Sequence, residues 1–513
     1  METIINKALE DLNIAIGKKA KGLMLSDDLR MHSGVATMSR ELVLGTIGRY
    51  DWIQIAGAIQ HPDKGKVINM DATTAQLTGI KNAKLTLYPV DGYGNEEFLF
   101  SIIEREKPDF IMHFTDPRFW GWLYSVERQI RSKMPLTYLN IWDDVPYPMY
   151  NRPFYESCDL LMSISKQTYN INKWVLGGHE KVATVDSPNT DNKTVLHYVP
   201  HGINKKIFHP VPKTDATLVA RRNSIFNGKD YNFVIFYNSR NVQRKRTSNI
   251  MLAYKAFCDN LTKEEAAKCV LLLHTEIRQD AGTDLIAVKE AFCSEYDVVF
   301  STAKYSPEDM NLLYNIADVT INLSSNEGFG LSTAESLMAG TPIIVAVTGG
   351  LQDQIGQTKD DGSPIEFDLN FGSNNVGKYR KHGVWAYPCY PTSQCVQGSI
   401  PTPYIFDDMT RWEDAAEGML YWWVAGTELR EKCGNAGREW ALGVGGINSE
   451  NMCNQFIKAM DYTLANFKPV KTFGIFTEKD YVGNLMPGGM GFEIPKFDHT
   501  KIKQQILENG VLA

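Results

Sequence analysis

SSNEGFGLSTAESLMAGTPIIVAVTGG, from Ser324 to Gly350, follows directly on the apolar run VTIN and sets a buried strand, a glycine turn and a helix in immediate succession. Gly328 and Gly330 let the backbone pass close to a ligand and take angles closed to other residues. The helix that starts at Leu331 turns its unpaired N–H groups, and the positive end of its dipole, toward whatever sits above the turn. Glu327, before Gly328, Phe329 and Gly330, and Glu335, one helical turn inside, place two carboxylates on the same site. Such a pair suits hydrogen bonding to the hydroxyls of a ribose and a sugar. A plainer reading stands beside it: Ser332, Thr333, Ala334 and Glu335 spell a capping box, and Gly340 with Pro342 is an ordinary helix stop. On these residues alone, phosphate binding and simple packing both remain open.

Outward from this stretch, short apolar runs alternate with helical segments along most of the chain, the signature of parallel α/β domains. The first series of strands reads GLMLS from Gly22, WIQIA from Trp52, LTLYPV from Leu85, DFIMHF from Asp109, LTYLNIW from Leu136, LLMSIS from Leu160 and VLHYVP from Val195. HGINKKIFHPVPKTDA breaks the rhythm, and a second series follows: FVIFYNS, VLLLHTE, DVVFS, VTINLSS and PIIVAV. The reading is an N-terminal domain over 1–205, a C-terminal domain over 206–467 and a tail over 468–513. Residues 351–408, rich in Gly, Pro and aromatics, read as a long, ordered insertion with little regular structure. Three helices, near 410–423, 427–442 and 448–467, are expected to close the second domain.

The bulk properties narrow the class. A chain of 513 residues, 43% hydrophobic and 22% charged, is a soluble globular type of two or three domains. A formal charge of -7 argues against a uniformly basic nucleic-acid binder while allowing a local basic groove. The opening METIINKALEDLNIAIGKKA reads as a polar amphipathic helix without a secretory apolar core, and no apolar run could cross a bilayer, so a cytoplasmic protein without stable membrane insertion is expected. The eight cysteines include no C-x-x-C pair and are expected to be reduced. No Asp-x-Asp occurs. The doublets Asp27-Asp28, Asp143-Asp144, Asp360-Asp361 and Asp407-Asp408 are mostly expected in solvated loops.

The stretch resembles the donor-site signature of glycosyltransferase family 4, whose members share the GT-B fold: a Glu, then Gly-Phe-Gly, then a second Glu eight residues after the first. Glu327, Gly328, Phe329, Gly330 and Glu335 match it, followed by Ala339, Gly340, Thr341, Pro342, Gly349 and Gly350. HYVPHGINKKIFHP resembles the family's linker, FYNSRNVQRKRTSN carries Arg240 and Lys245 at its Arg and Lys spacing, and HSGVATMSREL resembles the glycine-rich loop of its first domain. The resemblance implies two facing Rossmann-like domains and a retaining glycosyltransferase with a UDP- or GDP-sugar donor, UDP being favoured. It implies Glu327 on the sugar, Glu335 on the ribose, and Gly34, Phe329 and Leu331 around the donor. Arg240 and Lys245 suit the chemistry in their own right, because fixed cations stabilise the charge that develops on a departing nucleoside diphosphate. They make a metal unnecessary, and no cofactor is expected.

His113, Asp116 and Asp143 fall at strand ends where α/β domains place their chemistry. His113 is a candidate for the donor sugar, although the family's histidine position falls one residue later, on Phe114. Asp116 and Asp143 are candidates for the acceptor. In the insertion, KYRKHGVWAYPCY interleaves Lys378, Arg380, Lys381 and His382 with aromatic rings, and Arg380, Lys381 and Trp385 are candidate acceptor contacts against the alternative of a packed lid. The expected acceptor is a glycan or small polar molecule. A hydroxylated base in DNA is the alternative acceptor, and a sugar-nucleotide epimerase the alternative of another class.

Overall fold

A computed structural model describes residues 19–178, 182–187, 194–365, 379–471 and 498–508. The amphipathic helix expected at the start and Lys378 lie outside the described residues. Residues to Phe473 form one compact unit and Gly474–Ala513 a second, of which the described part contains a helix at His499–Glu508.

Among the described residues, two sheets organise the first unit. Strands β1 (Ala20–Asp27), β2 (Tyr50–Gly57), β3 (Ile68–Asn69), β4 (Leu85–Pro89), β5 (Phe110–Phe114), β6 (Leu136–Asn140), β7 (Leu160–Ser163), β8 (Ala183–Thr184) and β9 (Val195–Tyr198) form a sheet of order β3-β4-β2-β1-β5-β6-β7-β9-β8. All its pairs are parallel except β3 with β4. The second sheet, β10 (Phe233–Asn238), β11 (Cys269–His274), β12 (Val298–Ser301), β13 (Val319–Asn322), β14 (Ile343–Ala346) and β15 (Ala386–Cys389), is parallel throughout, in the order β12-β11-β10-β13-β14-β15. The helices that matter below are α1 (Gly34–Thr46), α2 (Lys166–Val175), α3 (Pro307–Ile316), α4 (Leu331–Met338), α5 (Trp412–Leu442) and α6 (Ser449–Asn466).

Parallel strands covered by helices on both faces bury both sets of alternate side chains, which is why their sequences read as near-continuous apolar runs. In β1, Leu23 and Leu25 pack into one apolar layer and Met24 into another. The layer holding Met24, Met112 and Phe114 continues into the second half through Phe329, Leu337 and Val345. The two halves thus share a core.

Two expectations need correction. The segment 351–408 is not poor in regular structure. It supplies β15, the sixth strand of the second sheet, and most of a hairpin of β16 (Pro391–Ser399) and β17 (Thr402–Thr410). The two helices expected near 410–423 and 427–442 are present, parted by a non-helical kink at Gly426, where φ is +73° and ψ 168°, and together carry the label α5. The last of the three closing helices, α6, does not close the second domain. It packs on α1 of the first, where Gly45 leaves room for Cys453, Phe456 meets Tyr50 and Trp52 at 6.1 and 6.0 Å, and Asp461 pairs with Arg49 at 2.9 Å.

The chain therefore crosses between the halves twice, and the crossings touch. Ile203 donates its N–H to Ile447 O at 3.0 Å and accepts from Ser449 N at 3.1 Å, and a side chain on Gly202 would collide with the Asn448 backbone. No described helix is long and apolar enough to cross a membrane.

Candidate functional site

The signature begins where β13 ends. Gly330 takes φ +90° and ψ 66°, and a methyl group there would meet Leu351 at 2.4 Å, so the turn into α4 requires glycine. Gly349 takes φ +51° against the Glu327 carbonyl, and Gly350 N–H donates to that carbonyl at 2.7 Å. The second glycine pair thus holds the turn from behind.

Helix α4 starts at Leu331 with no side-chain cap, so the capping-box alternative does not form. Glu335 accepts instead from Tyr314 Oη of α3 at 2.6 Å, and Tyr314 accepts from Asn238 Nδ2 at 2.8 Å. Burial pushes the Glu335 carboxyl up to about 7, against the opposing Tyr314 hydrogen bond. The uncapped N–H groups are a ready anion site. Phe329 turns its ring inward, 2% exposed and edge-on to His201 at 5.4 Å, so its side chain belongs to the core.

The basic loop after β10 lies across the turn. Arg244 O accepts from Ser325 N at 2.8 Å, and its guanidinium donates to Asn326 O at 2.7 Å. Lys245, 7% exposed, is ion-paired with Glu327. Burial, with Arg244 adding repulsion, lowers the Lys245 ammonium to about 8 despite the favourable carboxylate. Burial alone would raise Glu327, but Lys245 and Arg244 outweigh it and its carboxyl is lowered. Arg240 is exposed, at the end of the strand and open to solvent.

From the first half, Gly34 opens α1, and a methyl group on it would come within 3.2 Å of Leu331. Ser33 caps α1 through Ala36 N at 3.0 Å and donates its hydroxyl to Asp27 at 2.7 Å. Asp143 lies 3.8 Å from Arg244, and Asp144 accepts from the Asn326 side chain. Both carboxyls are raised by burial, Asp144 the more because Asp143 adjoins it. Asp116 is clasped by Arg118, with two Nε contacts at 2.9 Å.

Four sequence readings fail in this geometry. His113 is fully buried, with Nδ1 2.8 Å from Tyr124 Oη, Nε2 3.1 Å from Thr115 Oγ1 and its ring stacked on Tyr138 at 4.7 Å. Burial lowers it to about 3, so it is a neutral core histidine. Trp385 is 7% exposed, packed on Gly437 and on Trp440 at 5.0 Å, with Nε1 donating to Gln354 O at 3.0 Å. Arg380 stacks on Tyr390 at 3.9 Å, and Lys381 binds the Asp360 carbonyl. Trp385 is thus packed as in a lid, while Arg380 and Lys381 stay exposed. The doublets Asp143-Asp144 and Asp407-Asp408 are not solvated: the last three of these carboxylates are at most 9% exposed.

Sequence reading missed what holds the site together. Asp408 accepts from Thr348 at 2.6 Å and Gln394 at 2.7 Å, and Asp407 from Ser325 at 3.1 Å and Arg246 at 3.3 Å. One step along β17, Phe406 N donates to Val145 O at 2.7 Å, and Tyr404 meets Tyr150 at 5.0 Å. The hairpin thus joins the turn of the second half to the loop after β6 of the first. An Asp-Asp pair before a methionine carries no signal for such a strap.

Two Rossmann-like layers facing each other, with the uncapped start of α4 and the buried Lys245 at the turn, make up a GT-B fold. Residues 221–368 match the family model described as glycosyl transferases group 1. The MMP alpha-(1->4)-mannosyltransferase of Mycolicibacterium hassiacum is 26% identical over 161 residues, 31% of this chain and 33% of that protein. The chain therefore matches about a third of the length of that curated relative. Among solved structures, sucrose-phosphate synthase from Thermosynechococcus elongatus superposes with a TM-score of 0.59 at 14% identity, covering 87% of this chain and all of that one. Anabaena HepE, solved with UDP and glucose, gives 0.56 at 14% over 86% and 99%. A trehalose-phosphate synthase from Burkholderia xenovorans, solved with glucose-6-phosphate, gives 0.53 at 10% over 85% and 99%.

Proposed function

We propose that the protein transfers a sugar from a UDP-sugar to a hydroxyl of a glycan or small polar molecule, with retention at the anomeric carbon. The observation that carries this reading is the Lys245–Glu327 ion pair beside the uncapped start of α4, with Gly34 opposite. The helix start and Lys245 receive the diphosphate, and Arg240 and Arg244 add charge as it departs. Glu335 binds the ribose hydroxyls, and Glu327, released from Lys245 by the phosphate, turns to the sugar. In retention the acceptor hydroxyl enters on the face the nucleotide leaves. A donor phosphate oxygen takes its proton, so no side chain need be a strong base. Because Lys245 and Arg244 stand beside the turn, no metal is assigned, and activity is expected to survive EDTA.

UDP in HepE and glucose-6-phosphate in the trehalose-phosphate synthase support a sugar-nucleotide reading of this fold, and neither supports DNA as acceptor. The test is a thermal-shift screen of UDP, GDP and ADP, followed by proton NMR of the transfer product. UDP at 100 times its dissociation constant stabilises the fold by about 2.7 kcal/mol. Absence of a shift with any nucleoside diphosphate overturns the donor site. An inverted anomer overturns retention, and a changed sugar released without acceptor makes the protein an epimerase.

A further inference from the structure

At the C-terminal end of β5, the central strand of the first sheet, the loop that follows raises an aromatic ring into solvent. Phe119, 59% exposed, stacks on Tyr93 at 5.7 Å with the planes 23° apart. Exposed rings are common, but this one is held from beneath. Tyr93 rests on the buried Trp120 at 5.0 Å and donates its hydroxyl to Asp27 at 3.2 Å. Asp27 is the carboxylate that receives Ser33, the cap of α1, whose next residue Gly34 meets Leu331 of the second half. The platform is thereby tied through three side chains to the place where the two halves face each other. It stands at the C-terminal ends of parallel strands, where open α/β sheets take their ligands.

The charges around it are already matched. Arg118, beside Phe119, is clasped by Asp116 and lies 5.3 Å from the Trp142 ring. Arg30, in the loop after β1, is held by Asp28 and, at 3.2 Å, by Asp63. Neither guanidinium is available to a phosphate without breaking an ion pair, and Asp27 adds negative charge nearby. A phosphorylated sugar or a nucleic-acid backbone would meet net repulsion here. An uncharged sugar meets an apolar ring for its C–H face and, in the Asp116–Arg118 pair, both acceptors and donors for its hydroxyls.

Resting on the glycosyltransferase reading, we propose that Phe119, braced by Tyr93, is the platform on which an uncharged, unphosphorylated sugar unit of the acceptor lies, with the Asp116–Arg118 pair bonding its hydroxyls. The site would in this respect differ from that of the neighbour solved with glucose-6-phosphate.

The experiment uses the full chain saturated with UDP, probed by saturation-transfer NMR with maltose and with glucose-6-phosphate. Maltose is expected to receive saturation at its ring protons and glucose-6-phosphate markedly less. Phe119→Ala is expected to weaken maltose by about three- to tenfold, the loss of one stacked ring face. UDP affinity by calorimetry should stay within about twofold. No maltose signal, preference for glucose-6-phosphate, or an unchanged maltose constant in Phe119→Ala would each overturn the platform. Phe119 is exposed, so the variant folds, and failure of UDP itself to bind would instead overturn the donor reading.

Discussion

Gly34 and Leu331 are the first residues of two helices, one from each half of the molecule, and they meet nose to nose. Two helix starts converging on one point add their partial positive charges there. Gly34→Asp is therefore expected to place a carboxylate where phosphate belongs and to weaken UDP by more than about tenfold. Because Gly34 is exposed, Tm should move little. Calorimetry with UDP checks this, and unchanged affinity would remove the first domain from the donor site.

Lys245 should give UDP binding a basic limb. With its ammonium lowered to about 8 by burial, the charged form dominates at neutral pH and is lost as pH rises through that value. The UDP dissociation constant is thus expected to climb above pH 8. Glu327→Gln removes the carboxylate that holds the proton on, so the limb should shift to lower pH. Lys245→Ala should abolish the limb and cut turnover on the order of 10²-fold or more. Arg240→Ala is also expected to reduce turnover, but without change in Tm, since that side chain is exposed. Affinity flat with pH in the wild type would separate Lys245 from the phosphates.

Glu335 makes the stability of the fold depend on pH. Its folded carboxyl titrates at about 7, above the ordinary 4.5, so the folded state binds the extra proton between those values. The stability that this proton confers is complete below about pH 4.5 and lost as pH rises through about 7. Glu335→Gln keeps a hydrogen-bonding neutral group at every pH. Its Tm is expected to match the wild type near pH 5 and exceed it at pH 8, while UDP binds more weakly. A Tm difference independent of pH would contradict the burial of this carboxyl.

Trp385 should behave as a core residue. Trp385→Ala is expected to cost about 3–5 kcal/mol of stability, read from urea unfolding. The double variant Arg380→Ala, Lys381→Ala should leave the acceptor KM within about twofold, since one side chain is stacked on Tyr390 and the other is turned onto Asp360. A large rise in that KM would restore the lid to the acceptor site.

How far the sequence could be read follows from how local each signal is. Strand β13, the glycine turn and α4 are contiguous, and Glu327 with its spacing to Glu335 was legible because the turn fixes the first and the start of α4 the second. Lys245 was legible from spacing after a buried strand. His113 misled because a strand end suggests chemistry, whereas the residue's facing is set by register. The odd side of β5 turns toward Tyr138 and Tyr124, and Phe114 takes the opposite layer. Asp144, Asp407 and Asp408 were invisible because their burial depends on partners 60 to 182 residues away, such as Thr348, Ser325 and Asn326. Trp385 sat among basic and aromatic residues that look like a binding strip, and only the glycines Gly383 and Gly437 against its ring reveal the packing.

The return of α6 to the first sheet has a consequence for synthesis. Tyr50 and Trp52 wait for Phe456, and Gly45 for Cys453, so the first sheet stays unfinished until the ribosome has made the whole second half. At ordinary elongation rates, the roughly 250 residues between the two crossings take about 12–50 s. During that interval an apolar groove beside α1 is bare in a nascent chain. A fragment ending at the first crossing is expected to aggregate or recruit chaperones, and to be rescued when residues 443–471 are supplied in trans.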